Sequence, residues 1–263
     1  MTECRQGSLI WIQGAGEQAS GVAWCLIQAG YRVIAAEIAA PTAVRRLVSF
    51  SEAIYDGHVE VDGVVGVRMD ELIGAEPGRV NVIVDPTGDG IEASGASAVI
   101  DARLTKQPPA SLPHGSIPLI GLGPGFVVGR DADLVIETHR SAGPGQVVSS
   151  GEALPYTGIP GDVGGESLGR VLRSPADGYL QPFKTLGDLV NEGDLLAVVA
   201  DHAVTAPFDG RLRGLIHPVC RVHVGMKIGD VDPRGENVNP LKISDKALAI
   251  GDGVLKALLD IID

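Results

Sequence analysis

The chain has 263 residues, of which 36 are glycine and 17 are proline. Glycine and proline cost about 1 and about 3 kcal/mol in a helix interior, so this composition excludes a helical bundle or a coiled coil. The net charge of −12 disfavours binding to nucleic acid or to anionic membranes. Because the first residues lack a signal-peptide pattern and no apolar run reaches membrane-spanning length, we expect a cytoplasmic protein that does not contact a membrane.

The first 150 residues alternate short apolar runs with helical patterns, which predicts an α/β domain built on an open, mostly parallel sheet. Strands are predicted over residues 8–13, 31–37, 79–84, 98–101, 117–120 and 134–137, and a helix over residues 17–29. We expect residues 1–150 to form a Rossmann-like nucleotide-binding domain.

A glycine turn joins the first predicted strand to the first predicted helix. Gly14, Ala15, Gly16 and Ala19 occupy this turn in the pattern GxGxx(G/A), whose backbone amides approach a phosphate at a helix N-terminus. Glu37 follows Gly16 by 21 residues, where an acid binds a ribose hydroxyl. The turn therefore predicts a dinucleotide site, and the alternative is a structural glycine turn.

Other charged residues are predicted near the same sheet edge. Asp85, Asp101 and Glu137 each end a predicted strand, where carboxylates bind ligand groups or a cation, act as a general base, or simply cap the next turn. Arg45 and Arg46 are candidates for a further phosphate contact, with a solvated surface pair as the alternative. We take the three acids as candidate catalytic residues.

A second glycine loop, GLGPGF at 121–126, follows the strand predicted at 117–120. Gly121, Gly123 and Gly125 form either a second anion-binding loop or a tight turn. Residues 151–168 continue this glycine-rich stretch and are predicted to connect two domains.

Residues 169–234 contain an internal repeat with a period of 32 residues. The matching pairs are Pro175 and Pro207, Asp177 and Asp209, Gly178 and Gly210, Leu180 and Leu212, Val190 and Val222, Gly193 and Gly225, and Val199 and Val231. Each copy reads as short strands joined by glycine turns, and it cannot bury its apolar face alone. The repeat predicts a small two-fold β-barrel or sandwich.

The C-terminal segment, 235–263, predicts a helix capped by Ser244 and kinked or broken at Gly251 and Gly253. No metal site is predicted: His217, Cys220 and His223 have zinc-binding chemistry, but Cys220 lies on the opposite strand face from the histidines. The hairpin at 200–204 contains no lysine, so we expect neither biotin nor lipoate.

Four stretches of the chain carry a resemblance to a known family. They are GAGEQASGVAWCLIQAGYRVIAAEIAAPTAVRRLVSFSEAIYDG, IGLGPGFVVGRDADLVIETHR, TGIPGDVGG and ISDKALAIGDGVLKALL. In this order they are similar to accessory proteins of the selenium-dependent molybdenum hydroxylase system, and the similarity extends over nearly the whole chain. It implies a role in the maturation of hydroxylases that carry molybdopterin and a labile selenium.

The resemblance also implies an arrangement of domains and a set of site residues. It implies a barrel-sandwich hybrid of the biotinyl/lipoyl type at 169–234, without the modified lysine. The implied site positions are Gly14, Gly16, Glu37, Pro41, Arg45, Arg46, Asp85, Asp101, Gly121, Gly123, Gly125, Glu137, Ser244, Asp245 and Lys246.

Three functional hypotheses follow from these patterns. The first is a maturation factor that binds a nucleotide-bearing ligand, such as a molybdopterin dinucleotide, and docks a molybdenum hydroxylase client. The second is an NAD-dependent oxidoreductase in which Glu37 selects NAD, and the third is an interaction-only scaffold. The oligomeric state, including a homo-oligomer, and any catalysed reaction stay open.

Overall fold

A computed structural model describes residues 7–72, 74–105, 110–158 and 161–262. Cys4 and part of the TGIPGDVGG stretch lie outside these residues. The chain divides into two compact units, one holding Met1–Ala39, Ser49–Thr157 and Ile243–Asp263, the other holding Ala40–Val48 and Gly158–Lys242. Residues 243–263 thus belong to the first unit although they follow the second unit in sequence, whereas residues 235–242 of the predicted C-terminal segment belong to the second unit.

The first unit is a mixed α/β structure, as its alternating sequence pattern predicts. Its elements are β1 (Leu9–Gln13), α1 (Glu17–Gln28), β2 (Arg32–Glu37), α2 (Ala53–Asp56), β3 (His58–Val61), β4 (Val64–Met69), β5 (Val80–Val84), α3 (Ile91–Ser94), β6 (Ala98–Asp101), β7 (Leu119–Leu122), β8 (Leu134–Ile136) and β9 (Val147–Val148). Short 3-10 helices cover Phe50–Glu52 and Arg140–Ala142.

These strands form one nine-stranded, mostly parallel sheet in the order β3-β4-β5-β2-β1-β6-β7-β8-β9. The strands from β4 to β8 are parallel, and β3 and β9 add antiparallel edges. The centre of the sheet is buried, since every residue of β1, β6 and β7 is buried. Their continuous apolar runs form parallel strands because both faces of such a sheet are covered.

The C-terminal helix α4 (Asp245–Ile262) packs on α1 in the first unit. It is continuous through Gly251 and Gly253, so the predicted break is wrong. A Cβ on Gly251 would lie 2.5 Å from Sγ and 2.9 Å from Cβ of Cys25, and one on Gly21 of α1 would lie 2.6 Å from Cβ of Ala247. Glycine is present at these positions because it lets the two helix backbones approach closely.

The second unit consists of two antiparallel four-stranded sheets. Its strands are β10 (Val171–Arg173), β11 (Gly178–Pro182), β12 (Leu189–Val190), β13 (Leu195–Val199), β14 (His202–Thr205), β15 (Gly210–Leu215), β16 (Arg221–Val222) and β17 (Lys227–Asp232). Short 3-10 helices cover Arg46–Val48 and Gly235–Asn237. The sheet orders are β10-β17-β15-β12 and β14-β13-β11-β16.

The strands of the second unit follow the 32-residue repeat. Strands β11, β12 and β13 of the first copy correspond to β15, β16 and β17 of the second, and each sheet combines strands from both copies. The paired glycines Gly193 and Gly225 have φ of +84° and +78°, so both copies use the same left-handed turn.

A buried charge network crosses the first of these two sheets. Asp230 and Asp232 of β17 are 1% and 0% exposed. Nη2 of Arg213 lies 2.6 Å from Oδ2 of Asp230, and its Nη1 lies 2.6 Å from Oδ2 of Asp232. Arg170 also pairs with Asp230, and Arg234 pairs with Asp232 at 2.7 Å. Burial acts to raise the pKa of Asp232, but its bonds from Arg234 and the charge of Arg213 outweigh burial and lower it.

Across the described ranges, no helix combines the length and apolar character that crossing a membrane requires.

Candidate functional site

The candidate residues of the first unit lie along the carboxyl edge of its parallel sheet. From one side to the other, this edge carries the ends of β5, β2, β1, β6, β7 and β8. In chain order, the strands run outward from β1 through β2 to β5, and then outward in the opposite direction from β6 to β8. The reversal falls between β1 and β6, where Gln13 is paired with Asp101.

The glycine turn leaves β1 at this reversal and starts α1. Gly14 has φ +112°, its amide donates to the Ala36 carbonyl at 2.6 Å, and a Cβ would lie 3.0 Å from the Ala102 carbonyl. The fold itself therefore requires Gly14. Gly16 differs, because it has φ −71° and a Cβ would meet nothing within 4 Å.

The N-terminus of α1 has few partners within the protein. No side chain caps it at Gly16. In the described part of the chain, the amides of Gly16 and Gln18 have no hydrogen-bond acceptor. Such amides at the positive end of a helix dipole attract an anion. Ala19, the third position of the pattern, is 2% exposed.

Glu37 binds directly to the glycine turn. Its Oε2 accepts from the Ala15 amide at 2.9 Å, and its Oε1 accepts from the Ile38 amide at 2.8 Å. Burial raises the pKa of Glu37, and these two amide bonds act against the rise. The predicted acid and the predicted turn are therefore in contact, with one turn amide occupied by the protein's own carboxylate.

The segment around Phe50 covers the turn. Its Ser51 amide donates to the Ala15 carbonyl at 2.9 Å, and the Phe50 amide donates to Oγ of Ser20 at 2.8 Å. Oγ of Ser51 and Oε1 of Gln18 are buried and, among the described residues, lack a hydrogen-bond partner. Buried polar atoms are nearly always bonded, so these two oxygens mark the surroundings of the turn as incomplete.

Asp85 and Asp101 bind groups of the protein itself. Oδ1 of Asp85 accepts from the Gly88 amide and Oδ2 from the Gly90 amide, both at 2.8 Å, which folds the turn before α3. Asp101, 1% exposed, pairs with Arg103 at 2.5 Å. These carboxylates stabilise the loops that follow β5 and β6.

Glu137 organises the chain after β8. Its Oε1 accepts from the amides of Thr138 and His139 at 2.7 and 2.6 Å, and its Oε2 accepts from the Leu154 amide at 2.9 Å. The side chain is almost fully buried at 4% exposure of the residue. Glu137 therefore joins two loops by accepting hydrogen bonds from their backbone amides.

The GLGPGF loop has packing reasons for its glycines. A Cβ on Gly121 would lie 2.4 Å from the Phe126 ring, and one on Gly123 would lie 2.5 Å from Oγ1 of Thr138. Gly123 and Gly125 have φ of +76° and +104°. The Gly123 amide donates to the Ile136 carbonyl at 2.8 Å, so it extends the sheet.

Lys246, which the patterns alone did not select as a ligand-binding residue, lies near this edge. It is half-buried in the first turn of α4 and experiences the charges of Arg140, Glu17 and Glu137. The signal in the sequence was weak, since one lysine in the first turn of a C-terminal helix is an ordinary feature.

The other candidates belong to the second unit. Arg45 is 7% exposed, and Arg46 begins the 3-10 helix Arg46–Val48. Cys220 is buried, with Sγ 3.2 Å from the Pro41 carbonyl, while His217 accepts from the Val219 amide through Nδ1. In the described ranges, no three or more His, Cys, Asp or Glu side chains are grouped to hold a metal ion.

No protein-family model matches the chain. The uncharacterized protein YqeB of Escherichia coli (strain K12) is 43% identical over 255 residues, covering 95% of this chain and 47% of YqeB. The chain thus spans about half the length of this curated relative, whose name states no activity.

Two solved structures show weak likeness. An aspartoacylase family protein from Mesorhizobium loti is 13% identical, with a TM-score of 0.27 and coverage of 86% of this chain and 85% of that chain. The ectoine utilization protein EutE (DoeB) from Ruegeria pomeroyi is 13% identical, with a TM-score of 0.24 and coverage of 76% and 57%. At these TM-scores neither likeness supports a fold or a function.

Proposed function

We propose that the first unit is a Rossmann-like domain that binds a dinucleotide-type ligand at the glycine turn. The single observation that carries the proposal is Gly16. Neither its φ of −71° nor any neighbouring atom requires glycine there, and the space beside it opens at the uncapped start of α1. A phosphate in that space would accept from the Gly16 and Gln18 amides.

The sheet supports this proposal. The order β5-β2-β1-β6-β7-β8 corresponds to the strand order of dinucleotide-binding folds, which bind ligands where the order reverses at the carboxyl edge. Glu37 lies at the end of β2, where it would accept from a ribose hydroxyl and repel a 2′-phosphate. The ligand class is therefore a dinucleotide without that phosphate.

We further propose that the protein is a maturation factor for a molybdenum hydroxylase, with the second unit as a barrel-sandwich domain that docks the client. Support comes from the family resemblance of the sequence and from the two-fold arrangement of the β10 to β17 sheets. The hairpin between β13 and β14 turns at Ala200 and Asp201, so it offers no lysine for a tethered cofactor. The ligand would then be a molybdopterin dinucleotide.

The test is calorimetric titration of the protein with NAD, NADH and a molybdopterin dinucleotide. Gly16→Val should abolish binding while the protein stays folded, because its methyl groups fill the phosphate space. Gly16→Ala is the matched control, since alanine and valine are both poor helix caps but alanine fills less of that space. The proposal fails if no dinucleotide binds, or if Gly16→Val binds as tightly as the wild type.

The titration also separates the two ligand classes. Binding of NADH with a blue-shifted fluorescence, and no binding of the molybdopterin dinucleotide, would favour the NAD-dependent oxidoreductase. Selective binding of the molybdopterin dinucleotide, followed by activation of a hydroxylase on mixing, would support the maturation factor.

A further inference from the structure

Lys246 is a half-buried cation without an ion pair. No carboxylate oxygen of the described residues lies within 4.0 Å of its Nζ, and no hydrogen bond to its ammonium is present. Its neighbour Arg140, by contrast, contacts Asp245 at 3.4 Å. A partly desolvated ammonium is costly unless an anion compensates it.

Helix packing places Lys246 near the glycine turn. The close contacts between Ala247 and Gly21, and between Gly251 and Cys25, show that α4 and α1 run parallel and in register. Both helices therefore begin at the same side of the unit, and their positive dipole ends add.

The charged neighbours of Lys246 come from three elements besides α4. Glu17 follows Gly16 in α1, Glu137 follows β8, and Arg140 lies in the 3-10 helix Arg140–Ala142. Burial lowers the pKa of Lys246, and Arg140 lowers it further, whereas Glu17 and Glu137 act to raise it. On its own helix the adjacent charged residue is Asp245, which Arg140 contacts.

We propose that Lys246 binds the phosphate of the ligand held at the glycine turn, which makes α4 part of the site. This proposal rests on the proposed function and adds that the site recognises a nucleoside diphosphate group. A phosphate bound to the α1 amides would supply the anion that Lys246 lacks, and the dipoles of two helices would favour it. The nearby carboxylates of Glu17 and Glu137 do not pair directly with the ammonium.

The test compares phosphate-bearing with phosphate-free probes. ADP and CDP, with adenosine and cytidine, are titrated into wild-type protein and into Lys246→Met, Lys246→Arg and Lys256→Met. A charge-assisted bond to phosphate predicts that Lys246→Met weakens diphosphate binding about 10- to 100-fold and leaves nucleoside binding unchanged. Lys256 is an exposed lysine on the same helix, so Lys256→Met is the matched control and should bind diphosphates like the wild type.

Proton uptake gives a second readout. A bound phosphate raises the pKa of the ammonium, so diphosphate binding at an alkaline pH where Lys246 is partly deprotonated should take up protons in wild type and in Lys256→Met. Calorimetry in buffers of different ionisation enthalpy measures this uptake. Lys246→Arg should bind without it, because arginine stays protonated at this pH.

Several outcomes would overturn the proposal for Lys246. If Lys246→Met binds diphosphates like the wild type, or loses nucleoside binding equally, the lysine does not contact phosphate. If a dinucleotide binds but neither diphosphate does, the proposal for Lys246 fails and the proposed function stands. If wild-type protein binds neither a dinucleotide nor a diphosphate, the proposal for Lys246 and the proposed function both fail.

Discussion

Replacement of Gly251 by alanine tests the close packing that holds α4 on α1. In an ordinary helix interior, this change stabilises by about 1 kcal/mol, because alanine has the highest helix propensity and glycine one of the lowest. Here we expect the opposite sign. The new Cβ would lie 2.5 Å from Sγ of Cys25, 2.9 Å from its Cβ and 2.9 Å from the Gly21 carbonyl oxygen.

The size of the effect follows from these distances. Carbon contacts are optimal at about 3.5–4.0 Å, so the helices must separate by most of an ångström even if the Cys25 thiol rotates away. Overpacking of this kind costs about 1–3 kcal/mol, which is as large as or larger than the gain in helix propensity. We therefore expect the free energy of unfolding of the first unit to fall by up to about 2 kcal/mol.

Tryptophan fluorescence isolates the first unit in a urea titration. The chain contains two tryptophans, Trp11 in β1 and Trp24 in α1, and both belong to this unit. Their emission therefore reports its unfolding without a contribution from the second unit.

The control for this experiment lies one residue away. Asp252 is exposed on the same helix, so Asp252→Ala should stabilise slightly through its higher helix propensity. If Gly251→Ala were more stable than the wild type, the close approach of the helices would not be the reason for glycine at this position.

Three further predictions concern two buried groups, Asp232 and Cys25. Asp232→Asn should lower the free energy of unfolding of the second unit by about 1–3 kcal/mol, because the guanidinium of Arg213 loses one of its two buried carboxylate partners and keeps Asp230. Urea unfolding followed by far-UV circular dichroism measures this, and an unchanged midpoint would contradict it. The folded pKa of Asp232 lies below 3.8, so the unfolded chain binds more protons; its stabilisation should be present above about pH 4 and be lost as the pH falls through the folded value. Burial raises the pKa of Cys25 to about 11, with the charge of Asp252 adding to the rise, so only about one thiol in a thousand is ionised at pH 8. In a variant lacking Cys4 and Cys220, Cys25 should therefore resist iodoacetamide until urea unfolds the first unit. Rapid labelling of the folded protein would refute this.

The central strands and the glycine turn could be predicted from sequence because their signals are local. Continuous apolar runs define β1, β2, β5 and β6, and each becomes a buried parallel strand. The hairpin of β3 and β4 was missed although half of its residues are valine, because β3 has only four residues and both strands mix buried with exposed positions. Such strands are stabilised by pairing with the rest of the sheet, and a single-sequence pattern contains little of that information.

The candidate site was predictable in position but not in its contacts. The sequence indicates that Asp85, Asp101 and Glu137 end strands at one edge. It does not indicate that the amides after Asp85 and Glu137 fold back onto their carboxylates, because this depends on the conformation of each loop. Gly251 shows the same limit: helix propensity predicts a break, whereas the contact with Cys25 comes from a helix more than 200 positions earlier.

The shared strands of the second unit have a consequence for its origin. Shifted by 32 residues, β10 falls on β14, so this pair corresponds as well. Exchanging the two copies of the repeat therefore converts β10-β17-β15-β12 into β14-β13-β11-β16, which is the other sheet in the same order. A chain with one copy would hold only half of each sheet and could complete both by binding an identical molecule. We therefore expect the ancestor of this unit to have been a symmetric dimer of a peptide of about 32 residues, later fused into one chain.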